Sequence, residues 1–158
     1  MLLPFYEWCN NLAMSQAFRD SNYYFAITQS LHLVAITVFV GAILIGDLRM
    51  LGWVSIGQSR TGMARSAQRI LVWAGLAVLA TGIPQFTTNA LTYHRSPLFA
   101  FKMYLLAAAL VFTATLRWRV AVADEGLLPS WVPKAVGAVS LALWVGVTIS
   151  GRLINYYG

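Results

Sequence analysis

Residues 25–46 read FAITQSLHLVAITVFVGAILIG and contain a single ionisable side chain, that of His32. An α-helix needs about 20 consecutive apolar residues to cross the hydrocarbon core of a bilayer. This stretch is long enough, and it lies within a predicted helix over residues 23–51. The stretch therefore predicts a membrane-spanning helix that carries one histidine at membrane depth.

Three more apolar segments follow, and we predict further spans over residues 65–87, 97–122 and 133–155. A proline begins the third and fourth spans, a position where its missing amide hydrogen costs little. In residues 1–22, apolar side chains such as Phe5, Trp8 and Leu12 fall on one side at helical spacing, which is typical of an amphipathic helix at the membrane surface. The prediction is an all-α integral membrane protein in one domain, a bundle of four antiparallel transmembrane helices with an N-terminal amphipathic surface helix.

Composition agrees with a membrane location. Of the 158 residues, 59% are hydrophobic and 10% are charged, whereas a soluble domain has about 25% charged residues. The net charge of +6 would indicate nucleic acid in a soluble protein. Here the basic residues lie mostly in short connections between apolar segments, so membrane topology explains them and no nucleic-acid partner is expected. A single cysteine, Cys9, excludes an internal disulfide framework.

The basic residues are distributed unequally between the two sides of the predicted membrane. One side has only three of these residues, Arg19, Arg95 and Arg152. The connections on the other side carry Arg49, Arg60, Arg65, Arg69, Arg117, Arg119 and Lys134. Because basic residues concentrate on the cytoplasmic side, we predict a protein of a bacterial inner membrane with both termini in the periplasm.

Ionisable side chains inside a membrane are costly and usually face the bundle interior with a partner. His32 lies about 14 Å from the end of its span, and Lys102 lies at a similar depth in the third span. Lys102 is also explained as an anchor for lipid phosphate. For Asp47, near the other end of the first span, we expect a structural ion pair with Arg49 or with a basic residue between the third and fourth spans.

The second histidine, His94, lies on the same predicted side of the membrane as His32. Two imidazoles near one face of a helical bundle can supply both axial ligands of haem b, so His32 and His94 are the candidate metal ligands. Arg95, Lys102 and Arg152 lie near the same face and can neutralise the haem propionates. Two plainer interpretations stay open: a hydrogen-bonded core histidine for His32 and an ordinary loop residue for His94.

The chain also resembles a known family. The stretch SLHLVAITVFVGAILIGDLRMLG, the pair Thr81-Gly82 and the stretch NALTYHRSPLFAFKMYLLAAAL carry the resemblance. They resemble a DUF6644-like family of small bacterial four-helix membrane proteins of uncharacterised function, over nearly the whole chain. The most distinctive elements are His32, Asp47-Leu48-Arg49, Leu51-Gly52, and Phe99 followed by Lys102.

A remoter resemblance concerns the pairing of a histidine in the first span with a lysine early in a later span. This pairing is similar to the membrane protoporphyrinogen oxidase family and the copper-resistance CopD family. The former binds haem b, and its histidine and lysine are important for function, which the resemblance extends to His32 and Lys102 alone. Other basic and aromatic motifs of that family are missing here, so the resemblance does not extend to its reaction.

Three hypotheses for the function follow. The first is a haem b-binding membrane subunit for electron transfer, working as a homo-oligomer or within a larger membrane complex. The second is a non-enzymatic structural or accessory subunit, because the sequence shows no nucleophile–base pair and no carboxylate pair. The third, a copper-handling or transport protein, has few copper ligands and no inverted repeat to support it. We assign no catalytic residue, and the chain alone is not expected to be an enzyme.

Overall fold

The computed structural model describes residues 3–54, 60–123 and 126–157, without the side chains of residues 22, 60, 61, 63 and 155–157. Within these ranges all regular structure is helical, and four helices are long and apolar enough to cross a membrane. The predicted all-α membrane bundle is confirmed. The helices are α1 (Leu3–Asn10), α2 (Ala13–Asp20), α3 (Asn22–Met50), α4 (Arg60–Thr88), α5 (Ala90–His94), α6 (Pro97–Phe112), α7 (Trp118–Val122) and α8 (Trp131–Tyr157).

Helices α3, α4 and α8 are the first, second and fourth spans. The third span consists of α6, a π-helical turn at Thr113–Arg117, and α7. We call the end of the bundle near α1, α2 and α5 the terminal end. The opposite end, where α3 and α7 end and α4 and α8 begin, is called the basic end.

The N-terminal segment forms two short helices where the sequence predicted one. The break falls at Asn11 and Leu12, and both helices pack on the terminal end of the bundle, α1 against α4 and α5, and α2 against α3 and α4. The buried Ser15 hydroxyl donates a hydrogen bond of 2.8 Å to the Cys9 carbonyl across the break. Arg19 donates to the carbonyl of Thr88 at 3.2 Å and so joins α2 to the end of α4. This segment therefore covers one end of the bundle.

The four spans are arranged in a ring. Helix α3 packs mainly on α4 and α8, α8 packs on α6, and α7 closes the ring against α4. Small residues permit the close approach of α3 and α8, since a Cβ on Gly137 would lie 3.0 Å from the Asp47 carbonyl oxygen. Helices α3 and α6 therefore face each other diagonally, and their inward side chains meet inside the ring.

The middle of the bundle is packed with apolar side chains, and large apolar side chains also cover its outer surface. Ile43, Ala109 and Trp144 form a buried cluster, and the Trp144 Nε1–H donates to the Thr113 hydroxyl at 3.0 Å. Large apolar side chains such as Trp73 leave 73% of their surface exposed on the outside. An inverted distribution of this kind is expected where lipid is the solvent.

An aromatic stack lies at the terminal end of α6. The rings of Tyr93 and Phe99 are parallel at 4.6 Å, and Phe86 of α4 stacks on both. Burial raises the pKa of the Tyr93 phenol above its ordinary value. The stack fixes α5 against the ends of α4 and α6, which determines where His94 lies.

Candidate functional site

Two polar clusters lie inside the membrane-spanning part of the bundle. Both are built on α3, where fifteen residues, a rise of about 22 Å, separate His32 from Asp47. The histidine cluster, in the half near the terminal end, comprises His32, Thr81, Gly82, Lys102 and Gly151. The ion-pair cluster, in the half near the basic end, comprises Gly46, Asp47, Arg117 and Ser140.

The contact between His32 and Thr81 determines the form of the imidazole. His32 Nδ1 lies 2.8 Å from the Thr81 hydroxyl oxygen, and that hydroxyl donates its only hydrogen to the carbonyl of Ala77 at 2.7 Å. When that hydrogen is directed to Ala77, or to the Val78 carbonyl 3.3 Å away, the hydroxyl accepts a hydrogen bond from His32 Nδ1–H. In this tautomer Nε2 carries a free lone pair, which is the form in which an imidazole binds a metal.

Gly82 makes room for the ring. A Cβ at this position would lie 3.0 Å from His32 Cε1, tighter than ordinary van der Waals contact. The imidazole therefore lies directly against the backbone of α4. The pair Thr81-Gly82, noticed in the sequence only as part of a resemblance, supplies both the acceptor for Nδ1–H and the space beside the ring.

Lys102 approaches His32 from the opposite side of the ring of helices. The half-buried lysine on α6 extends to α8, where a Cβ on Gly151 would lie 3.3 Å from its Nζ. Its ammonium is near enough to His32 for the two to interact electrostatically. The described residues provide it with no hydrogen bond and no ion pair. The structure thus brings the two predicted residues together, and no described residue supplies an anion to the lysine.

The other predicted cofactor residues lie elsewhere. His94 is exposed on α5, and its ring packs 4.8 Å from that of Tyr6 on α1. Thr81, which contacts His32, lies seven residues or about 10 Å before the end of α4, and α5 lies beyond that end. The structure thus places His94 beyond the end of α4, and no contact between His94 and His32 is found among the described residues. Arg95 and Arg152 are exposed near the terminal end.

The ion-pair cluster joins α3 to the π-helical turn. Arg117 donates from Nε to Asp47 Oδ1 at 2.7 Å and from Nη2 to the Ile43 carbonyl at 3.1 Å. Both charged side chains are buried, with 6% and 0% of their surfaces exposed. Asp47 therefore pairs with Arg117 and not with Arg49, because residues two apart on a helix point in different directions.

Gly46 and Ser140 complete the surroundings of this pair. A Cβ on Gly46 would lie 2.6 Å from Arg117 Nη2, so only glycine leaves the guanidinium its place. Asp47 Oδ2 and Ser140 Oγ are both buried, and among the described residues neither has a partner at hydrogen-bond geometry. The Ser140 side chain nevertheless lies close enough to the carboxylate for the two to interact electrostatically.

A multidentate metal site made of protein side chains is not found in the described ranges, where no three His, Cys, Asp or Glu residues are grouped to bind an ion. Protein ligation at the histidine cluster is therefore limited, within those ranges, to His32. A single imidazole beside an ammonium suits a cofactor that brings its own metal and its own negative charge.

These features define a class: a four-helix integral membrane protein whose described residues include a buried ion pair and, in the other half of the bundle, a histidine beside a lysine that has no described anion. The chain belongs to a family of unknown function, DUF6644, whose model matches residues 5–157. No curated protein and no solved structure matches the chain. The family membership confirms the first resemblance seen in the sequence, and the remoter one stays an expectation.

Proposed function

We propose that the chain is a haem b-binding membrane subunit for electron transfer, in which His32 is the iron ligand. The main support is the 2.8 Å contact between His32 Nδ1 and the Thr81 hydroxyl, because a ring that donates from Nδ1 keeps the Nε2 lone pair for iron. A hydrogen bond on the far nitrogen of a ligating histidine is the usual way in which a protein fixes the ring and adjusts its basicity. When bound, haem b supplies reversible one-electron chemistry.

Lys102 provides the second part of the proposed site. An ammonium inside a membrane is unfavourable unless an anion accompanies it, and within the described structure Lys102 has none. A haem propionate would supply that charge, and the attraction is strong where water is scarce. Gly151 leaves space for the lysine in the same way that Gly82 leaves space for the imidazole. His94, exposed and packed on Tyr6, is not part of this site.

Electron transfer requires a donor and an acceptor, so the proposal includes a partner. We propose that the chain works as a homo-oligomer or as a subunit of a larger membrane complex. Cross-linking in native membranes followed by mass spectrometry tests this, and recovery of the monomer alone would contradict it.

The proposed location is a bacterial inner membrane with both termini in the periplasm. The support is the excess of arginine and lysine at the basic end of the bundle. Alkaline phosphatase fused to the C-terminus should be active in this orientation, and a fused green fluorescent protein should stay dark. The reverse pair of results would invert the topology.

The decisive experiment is a reduced-minus-oxidised absorption spectrum of protein purified from haem-replete cells. We expect a haem b spectrum in the wild type, its loss in His32→Ala, and its retention in the matched control His94→Ala. Lys102→Met should weaken haem retention, while Lys102→Arg should preserve most of it because the charge remains. A colourless wild-type preparation would overturn the proposal.

The same contact supports a second candidate, a non-enzymatic structural or accessory subunit. In that case the hydrogen bond between His32 and Thr81 joins α3 to α4 and has no other purpose. This candidate predicts a colourless wild type in which His32→Ala lowers thermal stability. The haem proposal instead predicts a coloured wild type, so one spectrum separates the two.

A further inference from the structure

The interior of the bundle is sealed in the basic half but accessible in the terminal half. In the basic half, the inward side chains of Ile43, Asp47 and Ala109 leave between 0% and 1% of their surface exposed. In the terminal half, His32 and Lys102 also lie inside the ring, yet both are only half-buried. Because spans packed closely on every side would bury these two side chains, the ring has an opening at the level of the histidine cluster.

The least packed seam between neighbouring spans is the one between α4 and α6. Within the described ranges, α3 packs on α4 and α8, and α8 packs on α6, whereas α4 and α6 have little direct contact. At the terminal end the two helices are joined by side chains, since the rings of Phe86 and Phe99 stack at 5.6 Å. At the basic end α7 follows α6 and packs on α4. Between these two levels, where the histidine cluster lies, helix packing does not close the seam.

On α6, the seam is bordered by Met103. Lys102 and Met103 both lie about one turn from Phe99, on the two sides of one helix face. Phe99 contacts α4 through Phe86, and Lys102 extends to α8, where it lies against Gly151. Met103 therefore lies on the side away from α8, next to the seam with α4, and 46% of its surface is exposed.

On α4, the seam is bordered by Ile83. Gly82 and Ile83 both lie about one turn before Phe86, again on the two sides of one face. Gly82 lies against His32 of α3, so Ile83 lies on the opposite side, nearer to α6, and 54% of its surface is exposed. The seam thus has an apolar rim, with an imidazole and an ammonium group behind it.

We propose that this seam, between Ile83 and Met103, is a lateral opening through which haem b passes between the bilayer and the His32–Lys102 pair. The inference rests on the proposed function and adds the route by which the ligand arrives. The apolar rim suits a macrocycle dissolved among lipid tails, which stays in apolar surroundings as it crosses the seam. Lys102, which has no anion among the described residues, attracts the propionates from inside the ring.

The alternative route runs through the terminal end, where α1 and α2 cover the bundle. Arg19 holds this cover in place, since its Nη1 donates to the Thr88 carbonyl at 3.2 Å and its Nη2 to the Asn10 carbonyl at 2.6 Å. A ligand that arrives from water would have to displace this segment, whereas a ligand that arrives from the bilayer would not. Loosening the segment and narrowing the seam therefore distinguish the two routes.

The rate of haem uptake tests the route. Protein from haem-depleted cells is reconstituted in phosphatidylcholine vesicles and mixed with haem, which enters the bilayer, and the growth of the haem b absorption is followed with time. Met103→Trp narrows the seam and should slow uptake about tenfold, the order expected when a bulky side chain crowds a close contact. The final haem-to-protein ratio should equal that of the wild type, because a narrower route slows entry and exit alike.

The matched control is Phe101→Trp, an exposed position two residues away and so on another side of α6, which should take up haem at the wild-type rate. Arg19→Ala loosens the N-terminal segment and should also leave the rate unchanged. An unchanged rate in Met103→Trp, or faster uptake in Arg19→Ala, would overturn lateral entry while the proposed function stands. A wild type that never binds haem would contradict both. If Met103→Trp does not fold, Ile83→Trp narrows the same seam from α4.

Discussion

The two polar clusters on α3 both place charged or ionisable side chains inside the membrane, but they differ in how those charges are balanced. In the basic half, Asp47 and Arg117 form a buried ion pair with 2.7 Å between Oδ1 and Nε. In the terminal half, His32 Nδ1 is hydrogen bonded to Thr81, and the imidazole lies next to the Lys102 ammonium. Opposite charges in contact offset each other, whereas a lysine with no anion among the described residues is costly in lipid unless a ligand supplies one. The comparison separates a structural cluster from a candidate binding site.

A glycine leaves room for a polar side chain in each of the two clusters. A Cβ would come within 2.6 Å of Arg117 at Gly46 and within 3.0 Å of His32 at Gly82. In each case the glycine allows a polar side chain from another helix to lie against the backbone. The geometry of both clusters therefore depends on the absence of one methyl group, which substitutions can test directly.

The largest expected effect is the loss in free energy of unfolding when the Asp47–Arg117 ion pair is broken. Asp47→Ala leaves the Arg117 guanidinium buried without its carboxylate, and loss of one partner of a buried pair costs about 3–5 kcal/mol. Lys102→Met removes a cation that has no described partner and should leave the stability of the haem-free protein unchanged or slightly higher. Unfolding in mixed micelles of increasing denaturing detergent measures both variants.

The control for this prediction removes both charges together. Asp47→Leu combined with Arg117→Met should recover most of the stability that Asp47→Ala loses, because no uncompensated charge stays buried. Equal destabilisation by Asp47→Ala and Lys102→Met would show that the ion-pair cluster and the histidine cluster do not differ in their contribution to stability.

A smaller loss of stability is expected when a methyl group is added beside Arg117 and the charges of the Asp47–Arg117 pair are unchanged. Gly46→Ala places a methyl group where Arg117 Nη2 lies, and such overpacking costs about 1–3 kcal/mol. Gly41→Ala, one and a half turns away on the same helix, has no atom within 4 Å of the new methyl group. It should be neutral or stabilising, since alanine is the better helix former. The same unfolding assay applies, and equal stabilities of the two variants would show that Arg117 moves aside at no cost.

The histidine cluster is tested by replacing Thr81, whose hydroxyl accepts the hydrogen bond from the imidazole of His32. Thr81→Val removes the hydroxyl at nearly constant shape and should weaken haem retention about 10- to 100-fold, the usual cost of losing a partner of a metal-bound histidine. Thr81→Ser keeps the hydroxyl and should retain haem. Haem-to-protein ratios after dilution and gel filtration measure the difference. Identical ratios for the two variants would show that Thr81 does not orient His32.

The fold was predictable because bilayer thickness fixes the length of an apolar helix, and His32 was found because it interrupts such a run. The partner of Asp47 was left open between two choices, since Arg117 counts equally well as part of a basic connection. Arg117 is the buried last residue of a π-helical turn, and hydropathy reveals neither the turn nor the direction of this side chain. The side of the membrane on which His94 lies followed from the predicted topology. Its distance from His32 depends on how α1 and α5 pack, which composition does not determine.

The smallest effect is expected at the boundary between the two clusters. Trp144 donates from Nε1 to Thr113, the first residue of the π-helical turn, at 3.0 Å, and its ring meets Phe39 edge to face at 5.1 Å. Trp144→Phe keeps much of the ring but removes the donor, which costs about 1 kcal/mol for one hydrogen bond. If this bond fixes the turn that directs Arg117 inward, Trp144→Phe should lose its effect in the Asp47→Leu, Arg117→Met background. Additive losses in that background would show that the turn forms independently of Trp144, and that the ion-pair cluster depends on its own pair alone.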